Sequence, residues 1–154
     1  MTDTRALDAE RTVRLTRRFA APRHAVYRAW TDPAEIAEWY GPDGWHAPVD
    51  RIRIDPEVGG RWEVTMVRRT DGFEFPIGYE ILELREPSLI VLRYTGENGL
   101  EQPSIVRVEL TADGDGTILT MTDGPMPSEG RDSAEGGYQQ AFEKLAARLG
   151  IGSL

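Results

Sequence analysis

Two histidines, His24 and His46, and five serines, Ser88, Ser104, Ser128, Ser133 and Ser153, are the groups from which hydrolytic chemistry would have to be built. His24 falls near the start of a predicted helix and His46 at the start of a predicted strand, while the serines sit mostly at turns or in the tail. No Gly-x-Ser-x-Gly elbow brings a serine to a strand–helix turn, so a serine triad is not expected. The absence of cysteine excludes a thiol nucleophile, a disulfide and a cysteine-based zinc site. Neither His-Glu-x-x-His nor a histidine pair at helical spacing is present to hold a metal. Asp113-Gly-Asp-Gly116 has the opening of a calcium loop without its distal glutamate, which leaves a hairpin turn. Gly59-Gly60 lacks the lysine of a phosphate loop and marks a turn whose crowding excludes a side chain. No catalytic residue, metal or cofactor is expected.

The chain is rich instead in large apolar and aromatic side chains at alternating or helical spacing. All four tryptophans, Trp30, Trp39, Trp45 and Trp62, fall in one stretch punctuated by Asp32-Pro33, Gly41-Pro42 and Gly59-Gly60. Taken singly such residues fill cores. Taken together they fit a ligand pocket, which is mostly apolar with a few polar groups. The expected lining is Trp39, Trp62, Val64, Met66, Phe75, Tyr79, Leu92, Tyr94, Met121, Tyr138 and Phe142. Tyr79, Tyr94 and Tyr138 would supply hydroxyls and Trp62 an indole N–H to orient a guest. Glu74 and Glu80 lie on the opposite strand parity and are expected to face solvent.

This set points first to a non-catalytic binder of an apolar or aromatic small molecule. A cyclase- or dehydratase-type enzyme is the alternative, with Tyr79, Tyr94 or a cavity-facing carboxylate moving protons. A chaperone-associated interaction module ranks third.

These residues must be held by a sheet and a helix. Thr12 to Phe19 alternates as a first strand. Pro22 suits the first position of a short helix that buries Val26, Ala29 and Trp30. Asp32 caps a second short helix, with Glu35 completing a capping box, and Gly41-Pro42 ends it. Strands are predicted over Val49 to Ile54, Arg61 to Val67, Phe75 to Ile81, Leu89 to Tyr94, Ile105 to Leu110 and Thr117 to Thr122, joined by short turns. Tyr138, Phe142, Leu145 and Leu149 recur on one face of a closing helix. Gly136-Gly137 there marks either the helix start or a close backbone approach. The order predicts an α+β helix-grip fold: a curved antiparallel sheet of six or seven strands wrapped around a long C-terminal helix, with two short helices after the first strand.

A chain of 154 residues, 40% hydrophobic and 29% charged, suits one domain over residues 12–154 behind a loose polar arm over 1–11. The net charge of -8 argues against a nucleic-acid partner. Arg11, Arg14, Arg17 and Arg18 read as a charged sheet edge. The longest aliphatic run, Leu89 to Leu92, cannot insert in a membrane, and the opening residues have no apolar signal region, so the expected location is cytoplasmic. The chain is expected as a monomer or homodimer.

Phe19-Ala-Ala-Pro-Arg-His-Ala-Val-Tyr-Arg-Ala-Trp-Thr-Asp-Pro33 resembles the opening of proteins related to the activator of the heat-shock-protein ATPase. Trp39-Tyr-Gly-Pro42, Val58-Gly-Gly-Arg-Trp62, Gly78-Tyr79 and Gly137-Tyr138 match later signatures in order, so that the resemblance covers roughly residues 12 to 150. It implies the START-like, birch-allergen-like (SRPBCC) superfamily, a cavity between sheet and C-terminal helix, and an apolar small-molecule ligand. Family members commonly carry Trp or Phe where Tyr40 stands, Arg where Glu57 stands and Trp where Tyr138 stands. The two tyrosines keep the aromatic shape and add hydroxyls. The eukaryotic co-chaperone has a further N-terminal domain, and the resemblance therefore does not imply a chaperone partner.

Overall fold

Alternation of inward apolar and outward polar side chains builds most of the molecule into one antiparallel sheet. A computed structural model describes residues 9–150. The eight strands are β1 (Val13–Phe19), β2 (Trp45–His46), β3 (Ile52–Ile54), β4 (Arg61–Arg68), β5 (Glu74–Arg85), β6 (Leu89–Tyr94), β7 (Ile105–Asp113) and β8 (Gly116–Gly124). Their spatial order is β1-β8-β7-β6-β5-β4-β2, and β3 shares the free flank of β4 with β2. From β4 to β8 the chain is a meander, and β1 joins β8 at the far edge, which places the four arginines expected there on or beside an edge strand. A register shift between Ile81 and Glu83 interrupts the β5–β6 ladder, and a bulge of this kind bends its strand and strengthens the curl.

The helices are α1 (Arg23–Thr31), α2 (Pro33–Trp39) and α3 (Ser128–Gly150). Pro22 is the N-cap of α1 rather than its first helical residue. Val26, Ala29 and Trp30 are buried as expected, and Tyr27 joins them. Asp32 caps α2 by accepting from the Ala34 amide at 3.0 Å. Glu35 pairs with Arg148 at 2.9 Å, so its side chain ties α2 to the end of α3 instead of closing a capping box. Val49–Arg51 forms a single 3-10 turn, and only Ile52–Ile54 of the strand expected from Val49 pairs with β4. Pro48 explains the difference, because it caps that turn and offers no N–H to a ladder.

The concave face holds one core. Trp30, Trp39, Trp62, Phe19 and Phe142 are all nearly inaccessible to solvent. Trp39 donates its indole N–H to the Ala29 carbonyl at 2.9 Å. Phe142 packs edge-on to Phe19 and Trp30, with ring centroids 6.0 and 6.3 Å away, and tilted to Trp39 at 6.1 Å. Ala141, Phe142 and Leu145 are the buried residues of α3, so the helix grips the sheet with its second half. Its flanks are tied by Arg17 to Glu143 at 2.5 Å and by the Asp43 amide donating to Gln140 at 3.0 Å. Arg131 donates to the carbonyls of Ala9 and Thr12, both at 3.1 Å, which anchors the last part of the polar arm expected over 1–11. Residues 1–8 of that arm lie outside the described residues.

The long helix begins at Ser128, and the two glycines fall inside it. A Cβ on Gly137 would stand 3.6 Å from the Pro42 Cβ, an ordinary contact, while a Cβ on Gly136 would meet nothing within 4 Å. Gly136 thus weakens the helix without a packing reason. Gly136→Ala should raise stability by roughly 0.5–1 kcal/mol, read as a higher urea midpoint at unchanged slope.

Candidate functional site

The first half of α3 crosses the sheet on small side chains. Gly130, Ser133, Ala134, Gly137 and Ala141 follow one another at helical spacing along the side that faces β4, β5 and β6. Such residues hold the helix backbone over the sheet without filling the gap, and a cavity of about 560 Å³ remains. Met66 from β4 and Phe75, Ile77 and Tyr79 from β5 form its floor, with Tyr94 from the end of β6. Tyr40, Gly41 and Pro42, which follow α2, form one wall. Glu97, Asn98, Ser104, Asp123 and Met126 form an end wall, where Asp123 meets Tyr138.

Register explains why these side chains meet. Met66 stands opposite Phe75, Trp62 opposite Tyr79, and Tyr79 opposite Tyr94, which draws a row of rings across three strands. Ring centroids along it are 5.6 Å apart for Trp62 and Tyr79 and 5.7 Å for Tyr79 and Tyr94. Gly41 adopts a φ of +106°, and a Cβ there would press on the Met66 sulfur at 3.2 Å. Glycine is therefore required where the chain turns from α2 past the cavity. The end wall is knitted by Asn98, whose side-chain amide donates to Ser104 Oγ at 3.0 Å and to the Pro125 carbonyl at 3.2 Å. Ser104 donates to that same carbonyl at 2.6 Å.

Of the expected lining, Met66, Phe75, Tyr79, Tyr94 and Tyr138 face the cavity. Trp39, Trp62, Val64, Leu92, Met121 and Phe142 lie behind it, each almost wholly buried in the core. Trp62 cannot orient a guest through its indole N–H, which is donated to the Trp30 carbonyl at 2.8 Å. Trp45 stands on β2 outside the lining, with its ring 6.3 Å from Phe73 and 6.5 Å from Phe75. Phe75 is 47% exposed and marks the mouth. Beside it the Arg68 guanidinium lies 5.5 Å from the Trp45 ring and 5.0 Å from the Phe73 ring. Arg68 also donates to Asp71, and chiefly that bond holds the Asp71 carboxyl down at about 2. Glu74 and Glu80 point away from the cavity and pair with Arg51 and Arg93.

The most consequential side chain of the site is one that sequence reasoning passes over. Asp123 is only 7% exposed, and its carboxylate accepts a hydrogen bond from the Tyr138 hydroxyl at 2.7 Å. The alternation of Leu119 and Met121 carried two residues further puts Asp123 on the same inward face, which is the signal that could have found it. Burial pushes the Asp123 carboxyl above its ordinary value, against the opposing pull of the Tyr138 bond. Burial likewise pushes the hydroxyls of Tyr40, Tyr79 and Tyr138 up, and the negative charge of Asp123 adds to it. These phenols stay protonated at neutral pH and serve as donors. Among the described residues no group of three or more His, Cys, Asp or Glu could hold a metal ion. His24 is exposed, and His46 is half-buried outside the lining.

A curled antiparallel sheet around a long C-terminal helix, with two short helices after the first strand, defines a helix-grip protein of the START-like class, whose members commonly bind hydrophobic ligands. Residues 20–150 match the family model described as activator of Hsp90 ATPase homolog 1-like protein, and the chain belongs to that family. The crystal structure of protein CV1439 from Chromobacterium violaceum is 27% identical, with a TM-score of 0.81 over 90% of this chain and 96% of that one. A protein described as AHSA1 from Silicibacter pomeroyi is 23% identical, with a TM-score of 0.76 over 91% of this chain and 98% of that one. CalU16 from Micromonospora echinospora is 20% identical, with a TM-score of 0.66 over 92% and 78% of the two chains. No curated protein sequence matches the chain. Among the described residues no helix is long and apolar enough to cross a membrane.

The buried carboxyl makes stability depend on pH with a definite sign. In the unfolded chain Asp123 releases its proton near 3.8, whereas in the folded chain it holds the proton to higher pH. The folded state binds more protons over that interval, so this group's contribution to stability falls as pH rises from 3.8 through the raised value. Asp123→Asn, which can still accept from Tyr138, should lose that dependence. Thermal melts across this range should show the variant gaining on the wild type as pH rises, and parallel curves would contradict the assignment.

Proposed function

We propose that this chain binds an apolar or aromatic small molecule in the cavity between the sheet and the first half of α3. The observation that carries this reading is the shape of the lining. Small residues on the helix leave about 560 Å³ unfilled over a floor of Met66, Phe75, Ile77, Tyr79 and Tyr94, with hydroxyls and one buried carboxylate, Asp123, among the lining. That volume lies within the range of small-molecule sites, and an apolar body with a few placed polar groups is their usual chemistry. Phe75 at the mouth gives an apolar guest a surface to cross.

Nile red, an uncharged dye that brightens in apolar surroundings, tests this directly. Its fluorescence should rise and saturate at one equivalent of protein. Ala134→Trp, which places an indole in the cavity from the helix side, should weaken binding at least about tenfold, near 1.4 kcal/mol. Undiminished binding by a folded Ala134→Trp protein would place the dye elsewhere and defeat the reading.

The Tyr138–Asp123 pair favours a second reading, a cyclase- or dehydratase-type enzyme. A phenol bonded to a buried carboxyl at the polar end of a shaped cavity is an arrangement that can pass a proton to or from a bound carbonyl. On that reading the wild-type protein catalyses aldol cyclisation of a linear poly-β-ketone analogue, and Tyr138→Phe abolishes that turnover while still binding the analogue. Equal turnover by both proteins would remove Tyr138 from any such role.

A further inference from the structure

The cavity is one-sided in charge. Asp123 and Glu97 are its carboxylates, Tyr40, Tyr79, Tyr94 and Tyr138 present phenol rings or hydroxyls to it, and no lysine, arginine or histidine is among its lining. Asp123 is the telling member. It is 7% exposed, yet among the described residues its one side-chain hydrogen-bond donor is Tyr138 and no cation pairs with it. Carboxylates taken this far out of water ordinarily gain a cation or several donors, because desolvation of an isolated charge is costly. Here the side on which such a partner would stand is the cavity itself.

The rings beside it have the complementary property. Aromatic faces carry negative potential and attract cations within about 6 Å of the ring centroid, tyrosine included. Tyr79 and Tyr94 meet at 55° with centroids 5.7 Å apart, so they form a corner rather than a stack. Met66 and Ile77 continue the floor as plain apolar surface. We infer that the ligand is an amphipathic organic cation, an amine whose ammonium group meets Asp123 among the tyrosines while its apolar body lies toward Met66 and Ile77. The same lining disfavours fatty-acid carboxylates and phosphate esters, whose charge would face Asp123 with no basic group to receive it. This inference rests on the binding reading above and narrows it to one ligand class.

Three matched probes separate charge from shape: tryptamine, tryptophol and indole-propionate carry the same ring on a cationic, neutral or anionic tail. Isothermal titration of the full chain at about pH 7.5, where the amine is protonated, should show tryptamine binding at least about tenfold tighter than tryptophol, with indole-propionate weakest. In Asp123→Asn the tryptamine advantage over tryptophol should vanish. Tyr94→Leu, which removes a ring without touching the carboxylate, should weaken tryptamine more than tryptophol. Tryptamine no tighter than tryptophol, whether both bind or neither does, overturns the cationic ligand, as does preference for indole-propionate. If Nile red still binds in that case, the cavity reading survives alone, and if Nile red also fails, both fall. Should Asp123→Asn not fold, the wild-type ranking of the three probes decides.

Discussion

The seating of Phe142 against Phe19, Trp30 and Trp39 is the contact on which the rest of the structure depends. It joins the long helix to the first strand and to both short helices at one point. Burial of such a ring is worth several kcal/mol, and truncation of a core phenylalanine typically costs about 3–5 kcal/mol. Arg148–Glu35 and Arg17–Glu143 flank this contact, but exposed ion pairs of that kind contribute about 1 kcal/mol or less each. The aromatic cluster therefore fixes where α3 lies, and the ion pairs add little to it. With the second half of the helix pinned, the first half is held over the sheet at a distance that its own side chains do not close.

That division of labour along one helix links fold to site. A helix of 23 residues is about 34 Å long, more than one compact core can occupy. Its second half meets the core through Ala141, Phe142 and Leu145, and its first half meets the void through Gly130, Ser133, Ala134 and Gly137. The tyrosines lie at the boundary between the two regimes. Tyr40 packs on Trp39 at 5.5 Å and on Trp62 at 5.2 Å, and Tyr138 packs on Phe142 at 6.1 Å, while all three partners belong to the core. Each ring is thus supported from behind by a rigid aromatic and faces the cavity in front. Polar tips held this way keep their positions without a ligand, which lowers the ordering cost of binding one.

The same division explains what could be predicted. Strand alternation with Gly- and Pro-marked turns is enough to predict the order of elements. The start of α3 escaped because a helix that covers a cavity has no apolar stripe to reveal it. Ser128 to Gly137 contains glycines, two serines and charges, and periodicity becomes visible only at Tyr138, where the helix reaches the core. Strand parity had a matching blind spot. It places Trp62, Val64, Met66, Phe75, Tyr79 and Met121 on the concave face correctly, but parity carries no information on depth along a strand. Whether a residue faces the core or the void depends on which half of α3 crosses above it. Asp123 was lost for a related reason, since its polarity ends the apolar alternation at Thr122 although the strand continues to Gly124.

A carboxylate at that position works against stability, which sharpens its meaning. An apolar residue at the end of β8 would continue the inward row of Leu119 and Met121 without the desolvation that pushes the Asp123 carboxyl up. Tyr138 reaches it from α3, so the polar pair bridges sheet and helix where apolar contact would serve the fold as well. Two other polar groups at that end, Ser104 and Asn98, are engaged with each other and with the Pro125 carbonyl. Their bonds hold the end wall and leave the Asp123 carboxyl, which has Tyr138 as its donor, facing the cavity. The local departure from the best core is thus concentrated at one end of one cavity, beside rings already fixed in place. Natural sequences break their own packing rules chiefly where function requires it. The balance of apolar floor, fixed phenols and a single buried carboxylate gives the site its chemical character more directly than the fold does.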